Sequence, residues 1–249
     1  MVAAYLDCGG RLSGLDCESL ESAVRSLADH YQASVVDTRA FLIGTTSEDG
    51  LFQSFECRFG PAKSAWEYVC WFHLTRVPEG TNFAEGILPL NLALDKVWAA
   101  MTAIVNPIKK ANLDKLRQVG VPNFQYGLKT SNPACFAGPY AMLVRESAFC
   151  SHEMGNHDYL TMPEIVEDIC NGYEKQFNVS ISEEIAAGLR KCIVKFEVTA
   201  ERGEEHAAEV LSYCWCKYHN QDLHHDANMC HDNGGIPIPY SAIRKIEFL

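Results

Sequence analysis

The chain has 249 residues, 47% of them hydrophobic and 21% charged, with a formal net charge of -11. That apolar content suffices for a core of ordinary size without covalent staples, and so acidic a chain with no Lys/Arg block has no nucleic acid as an expected partner. No apolar run reaches the roughly 18 to 20 residues of a membrane span, and the first residues lack the basic start and apolar run of a secretion signal, so no membrane association is expected and a cytoplasmic location is. The 11 cysteines then read as thiols, with disulfides the weakest reading.

In chain order, residues 16–31 set Leu20, Val24, Leu27, Ala28 and Tyr31 on one helical face, with Asp16 or Ser19 as the cap. Residues 34–44 are rich in β-branched and apolar side chains, Ser47-Glu48-Asp49-Gly50 is a turn, and 51–59 alternate as a strand does. Residues 1–65 therefore form a small α/β lead-in to the unit 66–249, or one continuous domain with it.

A strand is expected at 67–72. A helix follows with Leu90, Leu94, Val97, Trp98 and Met101 on one face and Pro107 ending it. A short helix at 111–119 closes at Gly120, and after the turn Asn132-Pro133 residues 138–145 read as a buried strand. Residues 147–159 read as a polar loop. Thr161 with Glu164 has capping-box spacing ahead of a helix through Tyr173. A helix at 182–191, an antiparallel strand at 192–199, another strand at 208–215, a Cys/His-rich loop and a terminal strand complete an α+β chain: a mixed, mainly antiparallel sheet core with flanking helices.

Three separated segments resemble the ADP-ribosyltransferase superfamily. Phe72-His73-Leu74-Thr75-Arg76 with Phe83-Ala84-Glu85-Gly86-Ile87-Leu88-Pro89 is similar to the family's first strand and the helix start after it. Gly138-Pro139-Tyr140-Ala141 is similar to its second strand, and Ala208-Glu209-Val210-Leu211 with the segment 236–243 occupies the place of its acid-bearing strand and last segment. The long insertion 216–235 departs from the family pattern and weakens the assignment of Glu209.

The resemblance implies an ADP-ribosyltransferase-like fold with NAD as the bound small-molecule nucleotide and a transferase or NAD glycohydrolase activity, on water or a protein acceptor. It implies His73, Tyr140 and Glu209 as the catalytic set, and His73, Thr75, Arg76, Gly86, Tyr140 and Arg145 as NAD contacts. A carboxylate suits such chemistry because cleaving the nicotinamide–ribose bond develops positive charge on the sugar. An imidazole and a hydroxyl hold ribose and amide groups, a phenol offers a stacking face, and a guanidinium matches a pyrophosphate. Each residue also has a plain structural counterpart. His73 suits a satisfied half-buried position, Tyr140 core packing, Glu209 a solvated charge among Glu201, Glu204 and Glu205, and Arg76 and Arg145 surface ion pairs.

A second constellation gathers Cys214, Cys216, His219, His224, His225, Cys230 and His231. Thiolate and imidazole are the ligands zinc prefers, so a structural zinc would fix a stretch poor in apolar residues. The spacing matches no standard ligand pair, and the same residues also make an ordinary polar loop. A non-enzymatic binding protein, stabilised or not by such a metal, is the alternative to the transferase, with a metal-dependent hydrolase third.

Overall fold

The computed structural model describes residues 14–131, 138–200 and 203–249; the expected turn at Asn132-Pro133 lies outside them. It is an α+β fold. Six strands form one sheet: β1 (Gly14–Leu15), β2 (Tyr68–Val77), β3 (Tyr140–Met142), β4 (Arg190–Thr199), β5 (Cys230–Asp232) and β6 (Ile243–Phe248). The order is β5-β3-β2-β4-β6, with antiparallel neighbours throughout and β1 joining β2 in parallel. The sheet is thus mixed and mainly antiparallel, as the sequence predicts.

Nine α-helices surround it among the described residues. The first three are α1 (Leu20–Tyr31), α2 (Val35–Gly44) and α3 (Leu51–Phe59). Ser19 caps α1 reciprocally with Ser22. The segments α2 and α3 are helices where β-branched content and alternation suggest extended chain. Ser34 accepts from the Asp37 N–H to start α2, and Leu51 and Phe55 are buried one helical turn apart on α3.

Next come α4 (Leu90–Ile104), α5 (Pro107–Val119), α6 (Phe124–Ser131), α7 (Glu164–Phe177) and α8 (Ser182–Gly188). Pro107 does not end α4 but opens α5, at the N-terminal position where a missing N–H is harmless. No side chain caps α7: its N-cap is Pro163, and Thr161 instead hydrogen-bonds Asp158 at 2.6 Å. With Pro163 as the cap, Glu164 is the first helical residue rather than the capping partner.

The last helix, α9 (Gly203–Tyr218), overturns the expected strand at 208–215. Ala207, Val210, Leu211 and Cys214 are all fully buried, at the three- and four-residue spacing of a helix face. Alternation alone does not reveal that face, because Tyr213 and Cys216 are buried as well.

Two large cores result. One joins α1, α2, α3 and α9 to the sheet through Leu27, Phe55, Trp71, Phe196 and Leu211. Residues before and after position 65 share this core, so the lead-in is built into the sheet's own packing. The other lies among α4, α5, α7 and α8, around Trp98, Met101, Leu113, Ile169 and Tyr173. Each such large apolar side chain contributes about 1.5 to 3 kcal/mol by leaving water.

Candidate functional site

The site lies where β2 outruns β3. Phe72 pairs with Met142 on β3, whereas β2 stays paired with β4 along its whole length, from Tyr68↔Thr199 to Val77↔Arg190. His73, Thr75 and Arg76 are therefore inside a strand rather than at its end. Beyond β3, the other edge of β2 borders a cleft closed by α4 and by the start of α7. Its first chamber encloses about 1020 Å³, including its open mouth, and is lined by His73, Thr75, Arg76, Lys129, Tyr140, Tyr159 and Glu164 among apolar residues of α4 and α7. A second chamber of about 1180 Å³ is lined by residues 80–88, Gly86 among them, and by Lys96. His73, Thr75, Arg76, Ala93, Val97 and Val166 line both chambers, which makes the cleft bipartite.

His73 holds the junction of the two strands. Its Nδ1 is 2.7 Å from the carbonyl oxygen of Tyr140. A carbonyl only accepts, so Nδ1 carries the proton and donates. Burial pushes the imidazole pKa below its ordinary value, against the opposing pull of that hydrogen bond. The ring is therefore neutral near pH 7, with Nε2 an acceptor suited to a ligand hydroxyl.

Glu164 is the carboxylate of the first chamber. Tyr159 donates its phenol to Oε1 at 3.1 Å, and the Lys129 ammonium lies 2.9 Å from Oε2 and 2.8 Å from Asp168. Burial works to raise the Glu164 pKa, but the hydrogen bond and charge of Lys129 outweigh it and the net direction is down. The group is ionised at neutral pH, in a cleft whose walls are mostly apolar.

The other predicted residues divide. Thr75, Arg76 and Gly86 line the cleft with His73 and Tyr140. Arg76, however, directs Nε to the Leu160 carbonyl at 2.6 Å and Nη1 to the carbonyls of Ala186 and Leu189. It ties β2 to the loop before α7 and to the C-terminal end of α8, and those donors are engaged. Gly86 has φ +80°, and a Cβ there would lie 2.0 Å from the Ile238 carbonyl oxygen, because Ile87 and Ile238 exchange backbone hydrogen bonds beside it. Arg145 is elsewhere, paired with Glu247 through both Nε and Nη2 in a shallow charged depression with Asp16, Glu18 and Lys245. Glu209 is on α9, in the layer that packs Val210 and Leu211 into the first core, and lines neither chamber. Of the three predicted catalytic residues, His73 and Tyr140 meet and Glu209 stands apart.

No family model, curated protein or solved structure matches the chain. The reading of the cleft thus rests on its own chemistry.

The Cys/His constellation is mostly dispersed. Cys214 and Cys216 share a helix, where two residues turn through roughly 200°, so they project to different sides. Cys214 belongs to the first core. His219 stacks on Trp215 with ring centroids 4.7 Å apart and meets the Leu42 carbonyl at 3.0 Å. His231 is in β5, stacked on Trp71 with centroids 4.9 Å apart, and Cys230 contacts the Met142 sulfur at 3.5 Å. His225 is exposed, 3.2 Å from Asp226, and its ligand atom lies within 4.8 Å of those of His224 and Asp226, an exposed pairing of two predicted ligands. Cys216 and His224 do converge, and the third residue with them is Glu48, from the turn between α2 and α3.

Glu164 and Glu48 are the functional candidates that sequence reasoning missed. For Glu164 one signal existed: the adjacent Pro163 shifts the helix start and releases the carboxylate from capping. Lys129, Tyr159 and Glu48 carry no local signal, since their partners are distant in the chain.

Proposed function

We infer that the cleft binds NAD and that the chain is an ADP-ribosyltransferase or NAD glycohydrolase of ADP-ribosyltransferase-like fold. The observation that carries this reading is the meeting of His73 and Tyr140 at 2.7 Å in a cleft that also holds the ionised carboxylate of Glu164. Two chambers sharing one wall suit a ligand with two nucleoside halves. Supporting the anionic middle of such a ligand, α4 begins beside both chambers at Pro89, where no side chain caps its first amides, and Lys96 lines the second chamber.

In this reading Glu164, in place of Glu209, stabilises the positive charge that grows on ribose as the bond to nicotinamide breaks. Nicotinamide leaves with the bonding electrons. Water or an acceptor hydroxyl, such as one on a protein, then bonds to the sugar carbon, and its proton passes to solvent. His73 Nε2 accepts from a ribose hydroxyl, and Tyr140 offers its ring as a stacking face. The setting is cytoplasmic, a reducing compartment in which the nine described cysteines persist as free thiols.

Incubating the chain with NAD and measuring both heat of binding and nicotinamide release tests this. Saturable binding with release that Glu164→Gln strongly reduces is the expected result; the absence of both binding at millimolar NAD and nicotinamide release sinks it. Saturable binding with no release, in the wild type and in every acceptor mixture tried, favours the non-enzymatic binding protein instead, a reading already motivated by Glu209 lying outside the cleft.

A further inference from the structure

We propose that Glu48, Cys216 and His224 form a binding site for one zinc-type transition-metal ion, independent of the NAD cleft. The three candidate ligand atoms lie within 4.8 Å of one another. A tetrahedral zinc with bonds of about 2.0 to 2.3 Å sets its ligands roughly 3.5 Å apart, so small side-chain adjustments suffice. The ligands come from three separate places: the turn between α2 and α3, the last turn of α9, and the segment just before the 3-10 turn His225–Ala227.

Their surroundings are those of a supported metal site. Ser212 hydrogen-bonds Glu48 Oε1, which leaves Oε2 on the side of His224, 3.0 Å from Nε2. The opposite ring nitrogen, Nδ1, faces an Asp226 carboxylate oxygen at 3.8 Å, within ion-pair range but beyond hydrogen-bond reach. Cys216 is fully buried, while the side chains of Glu48 and His224 retain 29% and 34% exposure. An ion between them keeps a water on the open side. One thiolate, one imidazole and one carboxylate select zinc, cobalt or nickel over magnesium or calcium. Neither chamber of the cleft is lined by these residues. The role of the ion is therefore structural, clamping the turn between α2 and α3 to the polar stretch after α9.

Cobalt(II) titration of the metal-stripped full chain tests the site. One equivalent should bind with a sulfur-to-cobalt charge-transfer band and intense tetrahedral d–d bands, and zinc should displace it. Cys216→Ser should lose the charge-transfer band. Glu48→Gln and His224→Gln should weaken binding by about 10-fold or more, the loss already typical of removing an outer-sphere partner, while His225→Gln should not. Circular dichroism establishes that each variant is folded, and zinc at a fixed concentration should raise the melting temperature of the wild type more than that of Glu48→Gln. No cobalt binding by the wild type, a thiolate band that survives Cys216→Ser, or binding lost only in His225→Gln overturns the proposal.

Discussion

The Nδ1 atom of His73 on β2 donates to the carbonyl oxygen of Tyr140 on β3 across 2.7 Å, joining two segments that are 67 residues apart in the chain. That bond sits where the two strands part. It fixes the tautomer of the imidazole and the position of the strand that carries the Tyr140 ring.

A pH dependence follows from His73. Its folded-state pKa is lowered from the ordinary 6.5 by burial, so the neutral ring contributes stability that is present above 6.5. This contribution is lost as pH falls from there through the folded-state value, because the unfolded chain takes up the proton first. Urea midpoints measured from about pH 8 to pH 5 should decline less in His73→Gln than in the wild type; equal slopes would assign the decline to other groups.

Lys129 holds Glu164 and the nearly buried Asp168 together, with side-chain exposures of 13%, 38% and 9%. Lys129→Met should lower stability at neutral pH by about 3 kcal/mol, since it leaves buried negative charge without its partner. The lowered Glu164 pKa contributes stability present above the ordinary 4.5 and lost as pH falls through the folded-state value. The gap between wild type and variant in denaturant titrations should therefore narrow on acidification, and a constant gap would contradict the ion-pair account.

Glu164 and Glu209 make a discriminating pair for the proposed reaction. Glu164→Gln should reduce nicotinamide release by about 100-fold or more while NAD still binds, as expected when a group acts on charge developed in the transition state. Glu209→Gln should leave release within about 3-fold of wild type, because its helix lines neither chamber. The reverse ranking in a steady-state assay would return the catalytic role to Glu209.

At Gly86, a methyl group would meet the Ile238 carbonyl oxygen at 2.0 Å on a backbone with φ +80°. Gly86→Ala should cost about 1 to 3 kcal/mol and loosen the wall of the second chamber. Thermal melting measures the first effect, and a weakened affinity for NAD the second. An unchanged melting temperature would mean that the 86–88 segment relaxes freely.

Much of the framework was legible from local pattern. The helix α1, the helical core of α4, the strand opening at Tyr68, β4 and the terminal strand all follow from periodicity and caps. The segments α2, α3 and α9 were not, because short apolar runs satisfy both periods and are settled by what lies beside them. For α9 the deciding neighbours are α1, α2, α3 and Trp71, which together surround the helix with apolar contacts.

By itself the sequence determined the α+β class, the acidic balance and five residues of the cleft, His73, Thr75, Arg76, Gly86 and Tyr140, since those depend on composition, periodicity and short segments read in chain order. Tertiary structure decided which carboxylate lines the first chamber. Glu209 is carried on α9, which lines neither chamber, and Glu164 is held in the cleft by Pro163, Tyr159 and Lys129. Glu48 joined Cys216 and His224 in the same way. The physical reason is common to both: the position and electrostatics of a charged side chain are set by partners far away in the chain, and local sequence spacing carries no record of them.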